Sequence, residues 1–220
     1  VITNNGNVTF PGIFTLPNNL KFIDNGTTSI PDSVLIINGT WEIRDSLLNE
    51  SSITVLDSGV IAVTHSNYSE KNHTLNITTY NLTVLTGGVI NASALGYYGG
   101  SPETSGEGPG AGTIGGDNGD GGGGAGHGGS GGDGQDDDAV PWEGGLKGNV
   151  YGSTLEPILQ GSGGSGSIHG SGVTGGSGGG FIRLNVTNTL SVNGTIEARG
   201  GEQNFSKGFG GAGGGSGGSI

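Results

Sequence analysis

The stretch NYSEKNHTLNITTYNLT, from Asn67 to Thr83, holds four Asn-x-Ser/Thr triplets, at Asn67, Asn72, Asn76 and Asn81. The chemistry such a triplet permits is transfer of an N-linked glycan to the asparagine amide. Across the chain the same triplet begins at Asn7, Asn25, Asn38, Asn49, Asn67, Asn72, Asn76, Asn81, Asn91, Asn185, Asn193 and Asn204, which is 12 of the 19 asparagines. Ser and Thr together supply 42 of 220 residues, so composition alone makes roughly 4 triplets. A turn-rich β chain is also rich in Asn, Ser and Thr, but the clustering exceeds what composition provides. The expectation is a secreted, heavily N-glycosylated protein, extracellular or at the cell surface, with glycans as its only covalent additions.

Other chemistries find less support. GGDGQDDDA, Gly131 to Ala139, resembles one GGxGxDxUx calcium repeat, but Asp138 stands at the apolar position and no tandem copy follows. Asp133, Asp136, Asp137 and Asp138 are therefore weak candidates for calcium, and a solvated acidic loop is the plainer reading. His65, His73, His127 and His169 lack metal-ligand spacing and read as solvent-exposed. No Ser-His-Asp order, nucleophile elbow or phosphate-binding GxxxxGK[ST] loop occurs. The basic residues, Lys21, Arg44, Lys71, Lys147, Arg183, Arg199 and Lys207, are scattered, and Glu42 and Glu197 sit at outward strand positions without matching acids. No enzyme and no cofactor are expected.

Composition sets outer bounds. The formal net charge is −12, the wrong sign for a nucleic-acid partner, which needs a Lys/Arg face. Without cysteine there is no disulfide framework and no thiolate site. No run approaches the roughly 18 apolar residues of a membrane span. The absence of Met suggests a mature product or a fragment.

The elements that must carry the asparagines are strands. SVLIINGTWEI alternates Val34 and Ile36, turns at Asn38-Gly39, and continues through Trp41 and Ile43. ITVLDSGVIAV repeats this with Ile53, Val55, Gly59, Ile61 and Val63, and LTVLTGGVINA with Leu82, Val84, Gly87-Gly88, Ile90 and Ala92. LSVNGTIEA adds Leu190, Val192, Asn193-Gly194, Ile196 and Ala198. Period-two alternation around glycine turns marks half-buried strands. Hairpins in an antiparallel β-sandwich and stacked repeats of a parallel β-helix both accommodate it. The 19-residue step from Val34 to Ile53, and the likeness of LNITTYNLTV to LNVTNTLSV, favour the parallel β-helix (β-solenoid). Alternation then turns Asn76, Asn81, Asn91 and Asn185 outward and leaves Asn38 and Asn193 at turns. Asn67 and Asn72 fall in a loop, and Asn81 is expected to begin a new strand.

Glycine divides the chain: residues 1–95 hold seven of the 53 glycines and residues 96–220 the other 46. The expected organisation is β coils over 1–95, a glycine-rich insertion over 96–180, and a further coil over 181–220. Such glycine runs have the composition of a flexible linker, but glycine also lets polyproline-II-like segments approach closely enough to hydrogen-bond. Ordered packing is the reading adopted. Trp142, Leu146, Tyr151, Leu155, Ile158 and Leu159 form a candidate satellite cluster within it. GGSGGGFI, Gly175 to Ile182, returns as GGGSGGSI, Gly213 to Ile220, as though another strand should follow Ile220.

On these residues, above all GGSGGGFIRLNVTNTLSVNGTIEARGG and the GGAGGGSGGSI that follows, residues 175–220, and more loosely residues 75–100 with GGVINASALGYYGG, resemble the glycine-rich parallel β-helix repeats of large extracellular surface proteins. The glycan-acceptor load resembles that of glycan-coated extracellular fibril subunits. The resemblance implies a structural or adhesive role. A fibre or surface-coat subunit assembling head to tail with identical copies is expected. An adhesin or carbohydrate-binding module, calcium-dependent in one form, is the alternative.

Overall fold

The computed structural model describes residues 1–10, 12–29, 34–43, 46–63, 74–116, 119–136, 144–168, 173–203 and 210–220, and the side chains of residues 27, 29 and 46–50 lie outside that description. The chain is all-β: among the described residues there is no helix, and hence none able to cross a membrane. It divides into a strand unit, Val1–Ala92 with Ile182–Glu197, and a glycine unit, Ser93–Phe181 with Ala198–Ile220.

Among the described residues there are thirteen strands: β1 (Ile2–Asn4), β2 (Asn7–Thr9), β3 (Phe14–Leu16), β4 (Lys21–Asp24), β5 (Thr27–Ser29), β6 (Val34–Ile37), β7 (Thr40–Ile43), β8 (Ser46–Val55), β9 (Val60–Val63), β10 (Thr74–Val84), β11 (Val89–Asn91), β12 (Phe181–Val192) and β13 (Thr195–Glu197). One sheet runs β1-β4-β7-β9-β11-β13, a second β12-β10-β8-β6-β3, and a small third pairs β2 with β5. Each registered pairing is parallel. The antiparallel sandwich is thereby set aside.

The expected turns do not close hairpins. β6 and β7, β8 and β9, β10 and β11, and β12 and β13 flank the four glycine turns, and in each case the two strands enter different sheets. Each turn is a corner that hydrogen-bonds to the next corner: Val60 N–H donates to Gly39 O, Val89 N–H to Gly59 O and Thr195 N–H to Gly88 O, all at 2.9 Å. Corner packing explains the glycines. A Cβ on Gly59 would stand 2.1 Å from Ile37 O, and one on Gly194 would stand 2.3 Å from Gly88 O.

Side chains line up in columns. Phe22, Trp41, Ile61 and Ile90 are in register across the six-stranded sheet, and Leu35, Ile53 and Leu82 across the five-stranded one; all are buried. Phe14 of the second sheet meets Trp41 of the first edge-on at 6.0 Å, and Phe10 stacks on Phe14 at 4.0 Å. The two sheets therefore share one core, held by apolar burial at about 25 cal/mol per Å².

Three expectations need correction here. Leu35 and Ile37, not Val34 and Ile36, point inward, and Leu35 rather than Val34 pairs with Ile53. The run Val34–Ile37 is apolar at every position, so alternation carries no phase; pairing to Phe14 and Ile53 decides it. Asn81 does not begin a strand but lies inside β10, beyond a bulge. Leu190 and Val192 are 52% and 42% exposed. Asn193 N–H donates to Val84 O as Leu85 N–H donates to Val55 O, so Val192 continues the Val84 column. It is uncovered because β12 is an edge strand.

In the glycine unit backbone hydrogen bonds recur at every third residue. Tyr97, Gly100 and Glu103 donate to Gly161, Gly164 and Ser167 at 3.0, 2.8 and 2.8 Å. Gly161, Gly164 and Ser167 donate in turn to Gly179, Gly176 and Val173 at 2.8, 2.9 and 3.1 Å. Gly145, Gly148 and Tyr151 repeat the pattern on Gly121, Gly124 and His127. Three residues per turn is the polyproline II repeat. The segments touch through backbone: a Cβ on Gly164 would lie 2.2 Å from Gly213 O. With the interior filled by main chain there is no room for bulky side chains. Leu146, Leu155, Ile158 and Leu159 are accordingly exposed rather than clustered, Leu155 at 95%; Trp142 lies outside the described residues.

This packing sets a contrast between two glycines. Gly164→Ala is expected to lower stability by about 3 kcal/mol, because its Cβ would press on the Gly213 and Gly214 backbone, which cannot relax as a side-chain end can. Gly132→Ala meets nothing within 4 Å and is expected to stay within about 0.5 kcal/mol of the parent. Denaturant unfolding of the two variants measures the difference.

Candidate functional site

The Asn-x-Ser/Thr asparagines among the described residues all lie in the strand unit. β10 shows how one strand presents two of them. Leu75, Ile77, Thr79, Leu82 and Val84 are buried, whereas Tyr80 is exposed. Thr79 pairs with Asn49 and Asn81 with Ser52, so Glu50 and Ser51 face the single residue Tyr80. This bulge changes the phase of alternation. Asn76 and Asn81, five positions apart in sequence, thereby both lie on the outer side.

The remaining described acceptors are distributed as follows. Asn91 lies between fully buried Ile90 and Ala92, in register with Ala62 and Glu197. Asn185 and Asn7 are exposed on β12 and β2, and Asn25 is exposed beside β4 with its Nδ2 donating to Asn5 Oδ1 at 3.2 Å. Asn38 and Asn193 occupy corners; Asn193 is exposed, but Asn38 Oδ1 is buried without a hydrogen-bond partner. The Asn49 backbone lies in β8, while Asn67, Asn72 and Asn204 lie outside the described residues.

Asn81 differs from a free acceptor. Its Nδ2 donates to Ser52 Oγ at 3.1 Å, and its Oδ1 accepts from Asn188 Nδ2 at 2.8 Å. Three neighbouring strands are thus tied by one polar row on the outer face of the sheet. Ser52 and Asn188 escaped the sequence reading, although the likeness of LNITTYNLTV to LNVTNTLSV places Asn188 near Asn81.

The acidic loop offers little to a cation. Asp133 Oδ2 accepts from Lys147 Nζ at 2.9 Å and Asp133 Oδ1 from Lys147 N–H at 3.0 Å. These bonds hold the Asp133 carboxyl below the usual aspartate range. Asp136 is half-buried, and Asp137 and Asp138 lie outside the described residues. No group of three potential ligands gathers among the described residues.

In the glycine unit a cavity of about 550 Å³ opens beside His127, Tyr151, Thr154, Pro157 and Ile220. His127 is half-buried rather than a free surface histidine: Nδ1 lies 2.9 Å from Gly217 O, and the ring packs on Tyr151 with centroids 4.7 Å apart. The Tyr151 hydroxyl donates to Gln160 O at 2.5 Å and meets Ser162 Oγ at 2.9 Å. Burial pushes its pKa up. Of the other histidines, His65, His73 and His169 lie outside the described residues.

No family model, curated protein or solved structure matches the chain.

The Asp133 pair makes a pH prediction. Its folded pKa is below the unfolded one, so its contribution is complete above the ordinary aspartate range and disappears as pH falls through the lowered value. In Lys147→Ala the ammonium is lost but the residue-147 N–H bond to Asp133 Oδ1 remains, so the Asp133 titration, followed by carboxyl NMR shifts, is expected to move up toward the ordinary range without reaching it.

Proposed function

We propose that the chain is a structural, heavily N-glycosylated subunit of an extracellular fibre or surface coat. It is built as a parallel β-helix in which the chain passes from sheet to sheet at its corners. One observation carries this reading: core columns run through parallel strands and stop, uncovered, at Leu190 and Val192 of an edge strand. An apolar sheet edge left uncovered is a template for another strand. Copies of this chain supply one, joining head to tail, with the N-terminal strands of one copy following the C-terminal strands of the next. Outward asparagines such as Asn76 and Asn185 accept glycans without disturbing the core, and the sugars form a hydrated sheath.

A second reading, an adhesin or carbohydrate-binding module, draws on the cavity beside His127 and Tyr151, whose rim combines ring surface with the Thr154 hydroxyl. Calcium has a smaller part in it, since Lys147 occupies Asp133.

Electron microscopy of protein from its native source, over a concentration series, tests the first reading. Fibres that lengthen with concentration are expected, together with a fall in mass by several glycans on enzymatic deglycosylation. Monodisperse particles at every concentration, or an unchanged mass, would overturn it. Binding on a glycan array, abolished by Tyr151→Ala without loss of fold, would favour the second.

A further inference from the structure

β10 carries Asn81 between two neighbours, with β8 on one side and β12 on the other. The bulge at Tyr80 sets its phase: Thr79 and Leu82 are both buried, so Asn81 turns outward beside Ser52 instead of entering the core. Thr79 Oγ1 donates to Asn81 O at 3.1 Å and bridges the bulge. The Asn81 carboxamide then lies across the sheet. Its Nδ2 donates to Ser52 Oγ on β8 at 3.1 Å, and its Oδ1 accepts from Asn188 Nδ2 on β12 at 2.8 Å. Asn188 Nδ2 also donates to Thr189 Oγ1 at 3.2 Å, which steadies the far end of the row.

A carboxamide that spans two strands in this way uses its two Nδ2 protons unequally. The amide is planar, with Oδ1 turned toward β12 and Nδ2 toward β8. The proton anti to Oδ1 therefore points sideways and back toward the sheet, where Ser52 Oγ lies. The proton syn to Oδ1 points away from Cβ, off the sheet face. Attaching a sugar makes the amide secondary, and secondary amides are trans. The sugar C1 then stands trans to Cβ, in the place of the outward proton. The proton held by Ser52 Oγ is the one that stays.

We propose that Asn81 is a braced glycan mount: the row Ser52–Asn81–Asn188 persists when a sugar is attached and directs that sugar straight off the sheet. This rests on the reading of the Asn-x-Ser/Thr asparagines as glycan carriers, and it specifies how one of them holds its sugar. Attachment forms the Nδ2–C1 bond and breaks the C1–O bond of a phosphate-activated sugar donor, and one Nδ2 proton leaves with the phosphate. Neither bond of the row is lost in that exchange. The χ2 torsion of asparagine is broad and soft when the amide is free. Fixing the amide at both ends removes that freedom, so the first sugar is held in one orientation before anything packs on it.

Glycopeptide mass spectrometry of the protein from its native source is expected to find sugar on Asn81. In chain made by glycosylating cells with isotope-labelled asparagine, the glycosylated amide gives a single Nδ2–H signal in the NMR spectrum. A bonded proton exchanges with solvent only when its bond opens, so exchange is expected to be roughly ten-fold faster in Ser52→Ala. Ser52→Thr, which restores a hydroxyl, is expected to recover the protection. Equal exchange in the parent and in folded Ser52→Ala overturns the brace and leaves the glycoprotein reading standing. Should Ser52→Ala lose the circular dichroism of the parent, Asn188→Ala decides instead. It changes an exposed residue of β12, and unchanged exchange there equally overturns the brace. Sugar on other acceptors but none on Asn81 overturns the proposal alone, whereas absence of sugar from all 12 acceptors removes both readings.

Discussion

The hydrogen bond from one corner to the next is the constraint on which the strand unit depends. Val60 to Gly39, Val89 to Gly59 and Thr195 to Gly88 keep successive corners stacked. Each leaves no space for a side chain where the backbones touch. Once a corner is held, the strands on either side have no freedom of register, because a one-residue slip would turn every buried residue to solvent. The columns through Trp41 and through Leu82 follow from this, as does the outward setting of the residues between them.

The glycine unit meets the same demand for backbone partners by another route. Strands there are replaced by segments whose hydrogen bonds return every third residue. The contact surface between neighbours is the peptide group itself. Glycine loses more conformational entropy on ordering than any other residue, so such a bundle forms only where nearly every turn finds a partner. Small side chains complete it: Ser162, Ser165 and Ser167 are buried among the glycines. The aliphatic residues of the 144–160 segment have no interior to enter and remain outside.

The two packing schemes leave different surfaces. The strand unit displays asparagines whose inward neighbours are buried, and it ends in strands whose core residues are uncovered. A bulge in β10 does more than interrupt pairing, because it places both Asn76 and Asn81 outside. Asn81 is then recruited into a polar row with Ser52 and Asn188. Acceptor motifs alone therefore do not distinguish an asparagine that is free at its amide from one already bonded.

Much of this protein was legible from its residues. Repeated apolar-x-apolar pairs around glycine marked the strands, and their parity correctly turned Ile53, Val55, Ile61, Val63, Leu82 and Val84 inward; Thr54 and Thr83 alternate with them in β8 and β10, whereas β9 is apolar throughout and takes its phase from pairing with Trp41 and Ile43. The kinship of Gly175–Ile182 with Gly213–Ile220 was real in space: Phe181 pairs in parallel with Ser219. Local pattern was insufficient in three places. At Val34–Ile37 all four residues are apolar, and only pairing with Phe14 and Ile53 selects Leu35. At Tyr80 the phase change depends on an extra residue in β8, a strand distant in sequence. At Lys147 a base separated by 14 positions from Asp133 claims a carboxylate that sequence spacing offered to calcium. Sequence by itself determined which residues seek burial and which permit backbone contact, because those are properties of side chains. Tertiary structure decided register, corners and who bonds to whom, because those depend on backbone groups brought together from far along the chain.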